Sequence, residues 1–216
     1  MYEGMVLSME PPKPHWETIY RQKRPDEVSW YRPHLDVSLA LLERAGLQQD
    51  TRIIDVGGGA STLVDDLLAR GLKEITVLDV AGEALLRAKA RLGARSQAVT
   101  WIEADIATAT LPNSAYDLWH DRAVFHFLMR PEDRRRYVET LTAAMKPGGH
   151  VVMATFSLQG PPRCSGLEVQ RYSAESLQTE LGEEFRLLET LTEEHRTPFG
   201  TTQQFLYCRF QRIGIS

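Results

Sequence analysis

Short runs of apolar and β-branched residues recur along the chain, and stretches with helical spacing lie between them. Such runs are typical of strands that are buried on both faces of a parallel sheet. Five runs are predicted to form strands, at residues 52–56, 73–79, 99–104, 116–120 and 150–156. Helical spacing is found at residues 35–45, 60–68, 84–92 and 131–145. The alternation indicates βαβ units with right-handed crossovers, and therefore a parallel sheet.

The pattern changes after residue 156. A loop containing proline and glycine is followed by a short helix at residues 174–181 and by two further strands, at residues 185–191 and 204–211. Their connection, residues 192–202, suits an antiparallel hairpin at one end of the sheet. We therefore expect a Rossmann-like, doubly wound α/β fold. Its sheet is predicted to be seven-stranded and mostly parallel, with a C-terminal antiparallel hairpin.

The first part of the chain departs from this alternation. Residues 1–13 are proline-rich and unpatterned, and we expect them to be disordered. A short helix is predicted at residues 15–24. It places Trp16 and Tyr20 on one face, because residues four apart are neighbours on a helix surface.

A second aromatic pair, Trp30 and Tyr31, follows between two prolines. Aromatic residues in a rigid loop often serve a pocket, although this pair could equally close the edge of the core. We therefore divide the chain into two parts. Residues 1–33 form an N-terminal extension with an aromatic, lid-like segment, and residues 34–216 form a single domain.

Composition narrows the function classes. The 216 residues are 43% hydrophobic and 25% charged, with a formal net charge of −4, so no overall positive field recruits nucleic acid or acidic membrane. No apolar run approaches the ~20 residues of a membrane span, and the first residues lack a signal-peptide pattern. Cys164 and Cys208 lack metal-ligand spacing. We expect a cytoplasmic, metal-free enzyme that is a monomer or a homodimer.

The chain is organised around residues 52–61, which read RIIDVGGGAS. A buried strand there runs directly into three glycines, Gly57, Gly58 and Gly59, and then into helical spacing. In this arrangement the backbone can press against a nucleotide-like ligand while helix N–H groups point at it. A side chain at the glycines would collide with the ligand or require an unfavourable φ.

The spacing of these glycines separates two ligand classes. A dinucleotide fingerprint requires G-x-G-x-x-G, and Thr62 stands where its third glycine belongs. The run Asp55-x-Gly57-x-Gly59 instead resembles motif I of the class I S-adenosylmethionine-dependent methyltransferases, with Ser61 where many members carry another glycine. A tight strand-to-helix turn without a ligand remains the alternative.

Polar residues follow the next three strands at the point where each is predicted to end. Asp79 ends the second strand, Asp105 follows the third, and His120 and Asp121 follow the fourth. The carboxyl ends of parallel strands meet at one edge of a sheet, where open α/β sheets bind their ligands. Each acid could be only a helix cap, but several such sites in the correct order are harder to explain in that way.

Taken together, these features resemble the class I methyltransferase superfamily over roughly residues 35–156 and the terminal hairpin, including the Lys146–Gly149 turn. The resemblance implies S-adenosylmethionine as cofactor and S-adenosylhomocysteine as product. The residues that it implies for cofactor binding are Asp55, Gly57, Gly58, Gly59, Asp79, Val80, Asp105, Ile106, His120 and Asp121.

The resemblance also implies a role for each group. The glycine turn would pack along the methionine part and the ribose, and Asp79 would accept hydrogen bonds from both ribose hydroxyls. Asp105 would accept the adenine N6 amine, with Ile106 supplying a backbone N–H and an apolar wall. The backbone after the fourth strand would meet the methionine amino group, which Asp55 would help to orient.

A nearer similarity concerns the N-terminal segment. The pattern Trp16-x-x-x-Tyr20, together with residues 26–31, is similar to bacterial relatives of the mitochondrial citrate synthase lysine methyltransferase. The implied activity is methyl transfer to a small-molecule acceptor, with a protein lysine as the alternative acceptor. A non-catalytic cofactor-binding module and a nicotinamide oxidoreductase are further alternatives.

Methyl transfer is an in-line displacement that needs an aligned nucleophile and the exclusion of water. A base is required only if the acceptor arrives protonated, and His126 and Asp121 are the candidates. Arg163 could bind an acidic substrate or be a solvated loop charge. The candidate acceptor-binding residues are Trp30, Tyr31, Phe125, Phe156 and Arg163.

Overall fold

The helices and strands of the protein are defined over residues 13–214, which the computed structural model describes. The predicted disorder of residues 1–12 therefore lies outside the described residues. The strands are β1 Arg52–Val56, β2 Glu74–Asp79, β3 Val99–Glu103, β4 Tyr116–Arg122, β5 Met145–Phe156, β6 Arg163–Cys164, β7 Leu167–Glu168, β8 Phe185–Arg196 and β9 Thr202–Arg212. The α-helices are α1 Lys13–Gln22, α2 Asp36–Arg44, α3 Leu63–Ala69, α4 Gly82–Leu92, α5 Pro131–Ala144 and α6 Ala174–Leu181. None of these helices has the length and apolar character needed to cross a bilayer.

Seven of the strands form one sheet in the order β3-β2-β1-β4-β5-β9-β8. Strands β1 to β5 are parallel, whereas β9 is antiparallel to both β5 and β8. The strand order reverses between β1 and β4, and open α/β sheets bind ligands at such a switch point. The predicted doubly wound fold and its C-terminal hairpin are confirmed, and β6 and β7 form a separate small hairpin.

The two faces of the sheet bury different sets of side chains, because successive residues of a strand point to opposite faces. On the first face Ile53, Val152 and Tyr207 pack with apolar residues of α2, α3 and α4. On the second face Ile54 and Trp119 pack with α5 and α6. Helices therefore cover both faces, which explains why residues 53–54 of β1 and residues 151–154 of β5 are apolar.

Strand β5 is longer than predicted. It begins at Met145 rather than at His150, because Met145 pairs with Tyr116 before the register shifts. The turn at Lys146–Gly149 is taken up in this irregular part of the strand, where Gly148 has a φ of +81°. Only glycine adopts that conformation without a steric cost, so the irregularity depends on it.

The C-terminal hairpin is also longer than predicted, and its connection is reduced to residues 197–201. The polar run after Leu191 had indicated a loop. Its residues instead alternate between the two faces of an edge strand, and Thr192 pairs with Leu206. His195 is buried in this pairing, and its Nε2 lies 2.7 Å from the carbonyl oxygen of Ser29. The hairpin therefore extends far enough to contact the N-terminal segment.

The N-terminal segment lies across the carboxyl ends of the strands. Helix α1 begins two residues before its predicted start and packs on α4 through the buried side chain of Tyr20. Glu17 accepts a hydrogen bond of 2.8 Å from the backbone N–H of Gly82. The hydroxyl of Thr62 donates to the carbonyl of Arg32 at 3.1 Å. Contacts of this kind hold the segment over the edge of the sheet where the predicted site lies.

Candidate active site

The glycine turn after β1 packs closely against two acidic side chains. Gly57 and Gly59 have positive φ values of +68° and +20°. A Cβ at Gly58 would overlap the carboxylate of Asp55, and one at Gly59 would overlap that of Asp79. The glycines are therefore required by the packing of the chain on its own carboxylates, as well as by the backbone conformation. The turn and the two acids form one unit.

Asp79 ends β2 as predicted and is 6% exposed. Its Oδ1 accepts the backbone N–H of Ala81 at 2.8 Å. Burial raises the pKa of its carboxyl to about 7, and the nearby carboxylate of Asp55 adds to this effect. The protein thus holds a carboxylate in a low-dielectric position without a cation beside it, which is costly unless a ligand supplies hydrogen-bond donors.

Asp105 and Ile106 follow β3 and line the same pocket as Asp79, together with Val80. Asp105 accepts the backbone N–H of Ala107 at 2.9 Å through Oδ1. In this contact the Asp105 side chain closes the turn that follows β3, which resembles the capping role given as the alternative in the sequence analysis. A carboxylate has two oxygens, however, so Asp105 can cap the turn and still accept a second donor from a ligand.

A buried hydrogen-bonded chain links β1, β4 and α2. Nδ1 of His120 lies 2.7 Å from Oδ1 of Asp55, and its Nε2 lies 2.9 Å from the hydroxyl of Ser38. The three side chains are 0–2% exposed. Oδ2 of Asp55 has no partner among the residues that the structure describes. The His120 side chain therefore orients Asp55, whose free oxygen is available to a cationic ligand group.

Two neighbouring pockets, which share several lining residues, open at this edge of the sheet. The main pocket contains Asp79 and Asp105, and its empty space, including the mouth, is about 890 Å³. The side pocket contains Asp55 and His120 beside the glycine turn. Trp30 and Arg122 line both pockets. A mostly apolar pocket with a few converging polar groups is typical of a small-molecule site.

Aromatic side chains form a large part of the wall of the main pocket. Trp16 packs edge-on against Trp30 and Phe127, with ring centroids 5.7 Å and 5.0 Å apart. Tyr20 lies 6.3 Å from Trp30, and Phe205 of β9 completes the wall. The sequence placed Trp16 and Tyr20 on one helical face without assigning them to the site. The wall depends on contacts between the N-terminal segment and the domain.

Arg122, at the end of β4, is the pocket residue that the sequence analysis missed. Its Nε donates to the hydroxyl of Tyr207 at 2.9 Å, and its Nη1 donates to the carbonyl of Trp30 at 3.1 Å. Its guanidinium lies over the Phe205 ring, 4.4 Å from the centroid. The two-residue period of β4 puts Arg122 on the same face as His120, and this period was a usable signal.

The two-residue period of β4 places the Asp121 side chain outside the pocket. Its carboxylate points to the second face, is fully buried, and accepts hydrogen bonds from the Tyr137 hydroxyl at 2.6 Å and from the backbone N–H of Val124 at 2.9 Å. Burial raises the pKa of this carboxyl to about 6. The Asp121 carboxylate holds the turn after β4 against α5, so the prediction that it acts as a base is wrong. The predicted contact of the backbone at this position with the methionine part of the cofactor stays a prediction.

The prediction that His126 acts as a base is also wrong. The ring is fully buried between Phe127 and Phe156 and does not line the pocket. Its Nδ1 accepts the backbone N–H of Phe156 at 3.2 Å, and burial lowers the pKa of the imidazole to about 3. A neutral ring in this position supports the backbone between β4 and β5.

Of the predicted acceptor-binding residues, Trp30 lines both pockets and Tyr31 lines the side pocket. The other three predictions are wrong. Phe125 packs against Tyr137 in the core of the second face, and Phe156 is fully buried. Arg163 is exposed and lies 3.5 Å from Glu168.

The neighbour of Arg163 does line the main pocket. The side chain of Cys164 is 5% exposed, and burial raises the pKa of its thiol to about 11. A thiol with so high a pKa is a poor nucleophile, so Cys164 contributes an apolar part of the wall.

Comparison with known proteins agrees with this arrangement. Residues 53–149 match the model of a family described as a methyltransferase domain. An uncharacterized methyltransferase of Mycobacterium bovis is 32% identical over 123 residues, which cover 57% of this chain and 58% of that protein. The match thus spans little more than half of the relative's length.

Solved structures extend the similarity to almost the whole chain. A structure reported for the conversion of a disulfide bond into a thioacetal group during echinomycin biosynthesis has a TM-score of 0.74 and 21% identity, covering 95% of this chain and 93% of that one. The N-methyltransferase NodS of Bradyrhizobium japonicum, in complex with S-adenosylhomocysteine, has a TM-score of 0.64 and 20% identity, covering 82% and 86%. At these identities the comparisons establish the fold.

Proposed function

We propose that the chain is a class I S-adenosylmethionine-dependent methyltransferase and that it transfers the methyl group of this cofactor to a small-molecule acceptor. The observation that carries the proposal is that the two pockets share lining residues, among them Trp30 and Arg122. Their linings bring the acids and the glycine turn together with an aromatic wall and with Arg122, the one cation among the described residues that line the main pocket. Cofactor and acceptor would then share one water-poor space.

The residues present fit the cofactor. The unpartnered Oδ2 of Asp55 would accept the ammonium group of the methionine part. Asp79, which has one backbone partner and a raised carboxyl pKa, would accept the two ribose hydroxyls. Asp105 and the apolar wall of Ile106 would hold the adenine. When bound, the cofactor supplies a methyl group already activated on a sulfonium.

The chain's own contribution to the reaction is then positioning and the exclusion of water. The aromatic wall formed by Trp16, Trp30, Phe127 and Phe205 would orient the acceptor and keep solvent away from the displacement. Among the described residues, none of those that line the main pocket is a histidine. We therefore propose that the acceptor reacts as a nucleophile that is already deprotonated or neutral.

The pocket disfavours the alternative acceptor, a protein lysine. Arg122 lines the main pocket, and its charge would repel the ammonium group of a lysine side chain there. The N-terminal segment also lies over the pocket, with its Trp30 carbonyl bonded to Arg122. A small molecule fits under such a segment more easily than a side chain that is attached to a folded protein.

The compartment is a further part of the proposal. Cys164 and Cys208 are both buried free thiols in the described part of the chain. Thiols that stay reduced support a reducing compartment such as the cytoplasm.

The proposal is tested by following a labelled methyl group. The protein is incubated with methyl-labelled S-adenosylmethionine and a cell extract that has been separated into small molecules and macromolecules. We expect label in the small-molecule fraction, and an Asp79→Ala variant as control should transfer far less. Label found only in macromolecules would overturn the small-molecule acceptor.

Calorimetry with S-adenosylhomocysteine separates the remaining outcomes. Failure of the wild-type protein to bind it would contradict the cofactor assignment. Binding without transfer to either fraction would instead favour a non-catalytic cofactor-binding module.

A further inference from the structure

We propose that Arg122 binds an anionic group of the acceptor, so that the acceptor is an aromatic or otherwise flat small molecule that carries a carboxylate or a similar oxyanion. The proposal rests on the proposed methyl transfer and adds the chemical class of the acceptor. It starts from the one cation among the described residues that line the main pocket.

The guanidinium of Arg122 is held by neutral groups. Its partners are the hydroxyl of Tyr207, the carbonyl of Trp30 and the ring face of Phe205. Within residues 13–214 no carboxylate forms an ion pair with it. Arg32, the other cation that lines the side pocket, is paired directly with Glu193. The Tyr207 hydroxyl that accepts from Arg122 donates to the same Glu193 at 3.0 Å. Arg122 therefore reaches a carboxylate only through a neutral hydroxyl, and its charge can pair directly with a ligand.

One donor of the guanidinium is left without any partner. Nη2 of Arg122 is buried, and it makes no hydrogen bond within the described residues. A buried donor of a charged group costs more to leave unbonded than a neutral one. An oxyanion would accept from this nitrogen and offset the charge in a single contact, and arginine suits planar oxyanions particularly well.

The pairing of β4, β5 and β9 brings the Arg122 side chain to Tyr207 and Phe205. Arg122 pairs with Ala154 across β4 and β5, and Ala154 pairs with Tyr207 across β5 and β9. These three residues share one face, and the small side chain of Ala154 lets the arginine reach over it to the Tyr207 hydroxyl. The guanidinium thereby lies over Phe205 of β9, while Arg122 also lines the side pocket that contains Asp55.

The shape of the wall defines the rest of the acceptor. The rings of Trp16, Trp30, Phe127 and Phe205 border the same space as Arg122. Aromatic walls favour flat apolar bodies, because such ligands bury much area and can stack or pack edge-on. A flat body with one negative group satisfies the wall and the cation together. An ammonium-bearing acceptor would satisfy only the wall.

The test uses aromatic carboxylates paired with their neutral amides, namely benzoate, indole-3-acetate and 2-naphthoate against benzamide, indole-3-acetamide and 2-naphthamide. Binding is measured by ligand-observed NMR on protein saturated with S-adenosylhomocysteine. We expect at least one carboxylate to bind about tenfold or more tightly than its amide, the scale of a charge-assisted hydrogen bond. The variant Arg122→Met should lose this preference and leave S-adenosylhomocysteine affinity within about twofold of wild type.

Two further variants keep the result interpretable. Arg122→Gln retains a donor without the charge and should also lose the preference if Arg122→Met folds poorly. Arg163→Met removes an exposed arginine outside the pocket and should keep the preference. Equal binding of carboxylates and amides by the wild type, or no carboxylate binding at millimolar concentration, would overturn the proposal.

A different pattern would reassign the residue. If Arg122→Gln weakened S-adenosylhomocysteine binding about tenfold while the carboxylate preference persisted, Arg122 would serve the carboxylate of the cofactor, and the proposal would be wrong. Failure of the wild type to bind S-adenosylhomocysteine at all would instead contradict the proposed function on which this inference rests.

Discussion

Asp79 and Arg122 lie in the same pocket at the ends of two parallel strands, and the protein treats their charges differently. Asp79 is 6% exposed, has a single backbone donor on Oδ1 from Ala81, and has a carboxyl pKa raised to about 7. Arg122 is partly buried and surrounded by neutral acceptors and a ring face. Burial therefore disfavours the charged form of Asp79. The charge of Arg122 is stabilised by its neutral partners, but within the described residues no carboxylate forms an ion pair with it.

The difference shows how the two halves of the pocket are built. The acidic half comes from one continuous arrangement, in which the glycine turn packs on Asp55 and Asp79. The cationic half is assembled from β4, β9 and the N-terminal segment, which are far apart in the chain. We infer that the first half recognises a constant ligand, the cofactor, whereas the second half sets the choice of acceptor.

The largest expected effect is a loss of cofactor affinity when the acidic half of the pocket is changed but not when the cationic half is changed. Asp79→Ala removes the acceptor proposed for the ribose hydroxyls and should weaken S-adenosylhomocysteine binding by about 1.5–3 kcal/mol, roughly 10- to 150-fold. Calorimetry measures the dissociation constant directly. Arg122→Met serves as the matched control, because it removes a charge from the other half. An unchanged dissociation constant in the Asp79 variant would remove this residue from the cofactor site.

The second effect concerns the stability of the protein without ligand. Because burial raises the pKa of Asp79 from 3.8 to about 7, the folded state binds a proton more readily than the unfolded state between these values. The free energy of unfolding therefore falls as pH rises through this window. Asp79→Asn should raise it by about 2 kcal/mol above pH 7. This is about half of what ~1.4 kcal/mol per pH unit gives for the whole shift, because the buried amide has one acceptor oxygen fewer than the carboxylate.

This gain should shrink as the pH falls and disappear below about pH 4, where the carboxyl is neutral in both states. Urea unfolding at several pH values measures it. A gain that persists at acid pH would show that the substitution acts through packing and would contradict the account of the Asp79 charge.

The smallest expected effect tests whether His126 lies outside the active site. His126→Gln keeps an acceptor for the Phe156 backbone N–H, and His126 lies outside the pocket with an imidazole pKa of about 3. Transfer to the acceptor found in the labelling experiment should stay within about threefold of wild type, with an unchanged pH profile. Loss of a kinetic pKa between about pH 5 and 8 would restore His126 as the base.

The acidic half of the pocket was accessible from the order of residues along the chain. The strand, glycine turn and helix at residues 52–68 are contiguous, and Asp79 and Asp105 follow strands whose ends must meet at one edge. Such information is local, since strand burial and the carboxyl-end rule need only neighbouring residues. The fold, the terminal hairpin and the position of the acidic half of the pocket could therefore be predicted from the sequence.

The cationic half could not be predicted in the same way, because it depends on distances between remote segments. Trp16, Phe205 and Arg122 meet only when the N-terminal segment and β9 close over the end of β4. The two-residue alternation along β4 also separates neighbours, so that Asp121 is buried on one face while Arg122 reaches the pocket on the other. Neighbouring residues of a strand point to opposite faces of the sheet, and only the tertiary structure decides which segments each face meets.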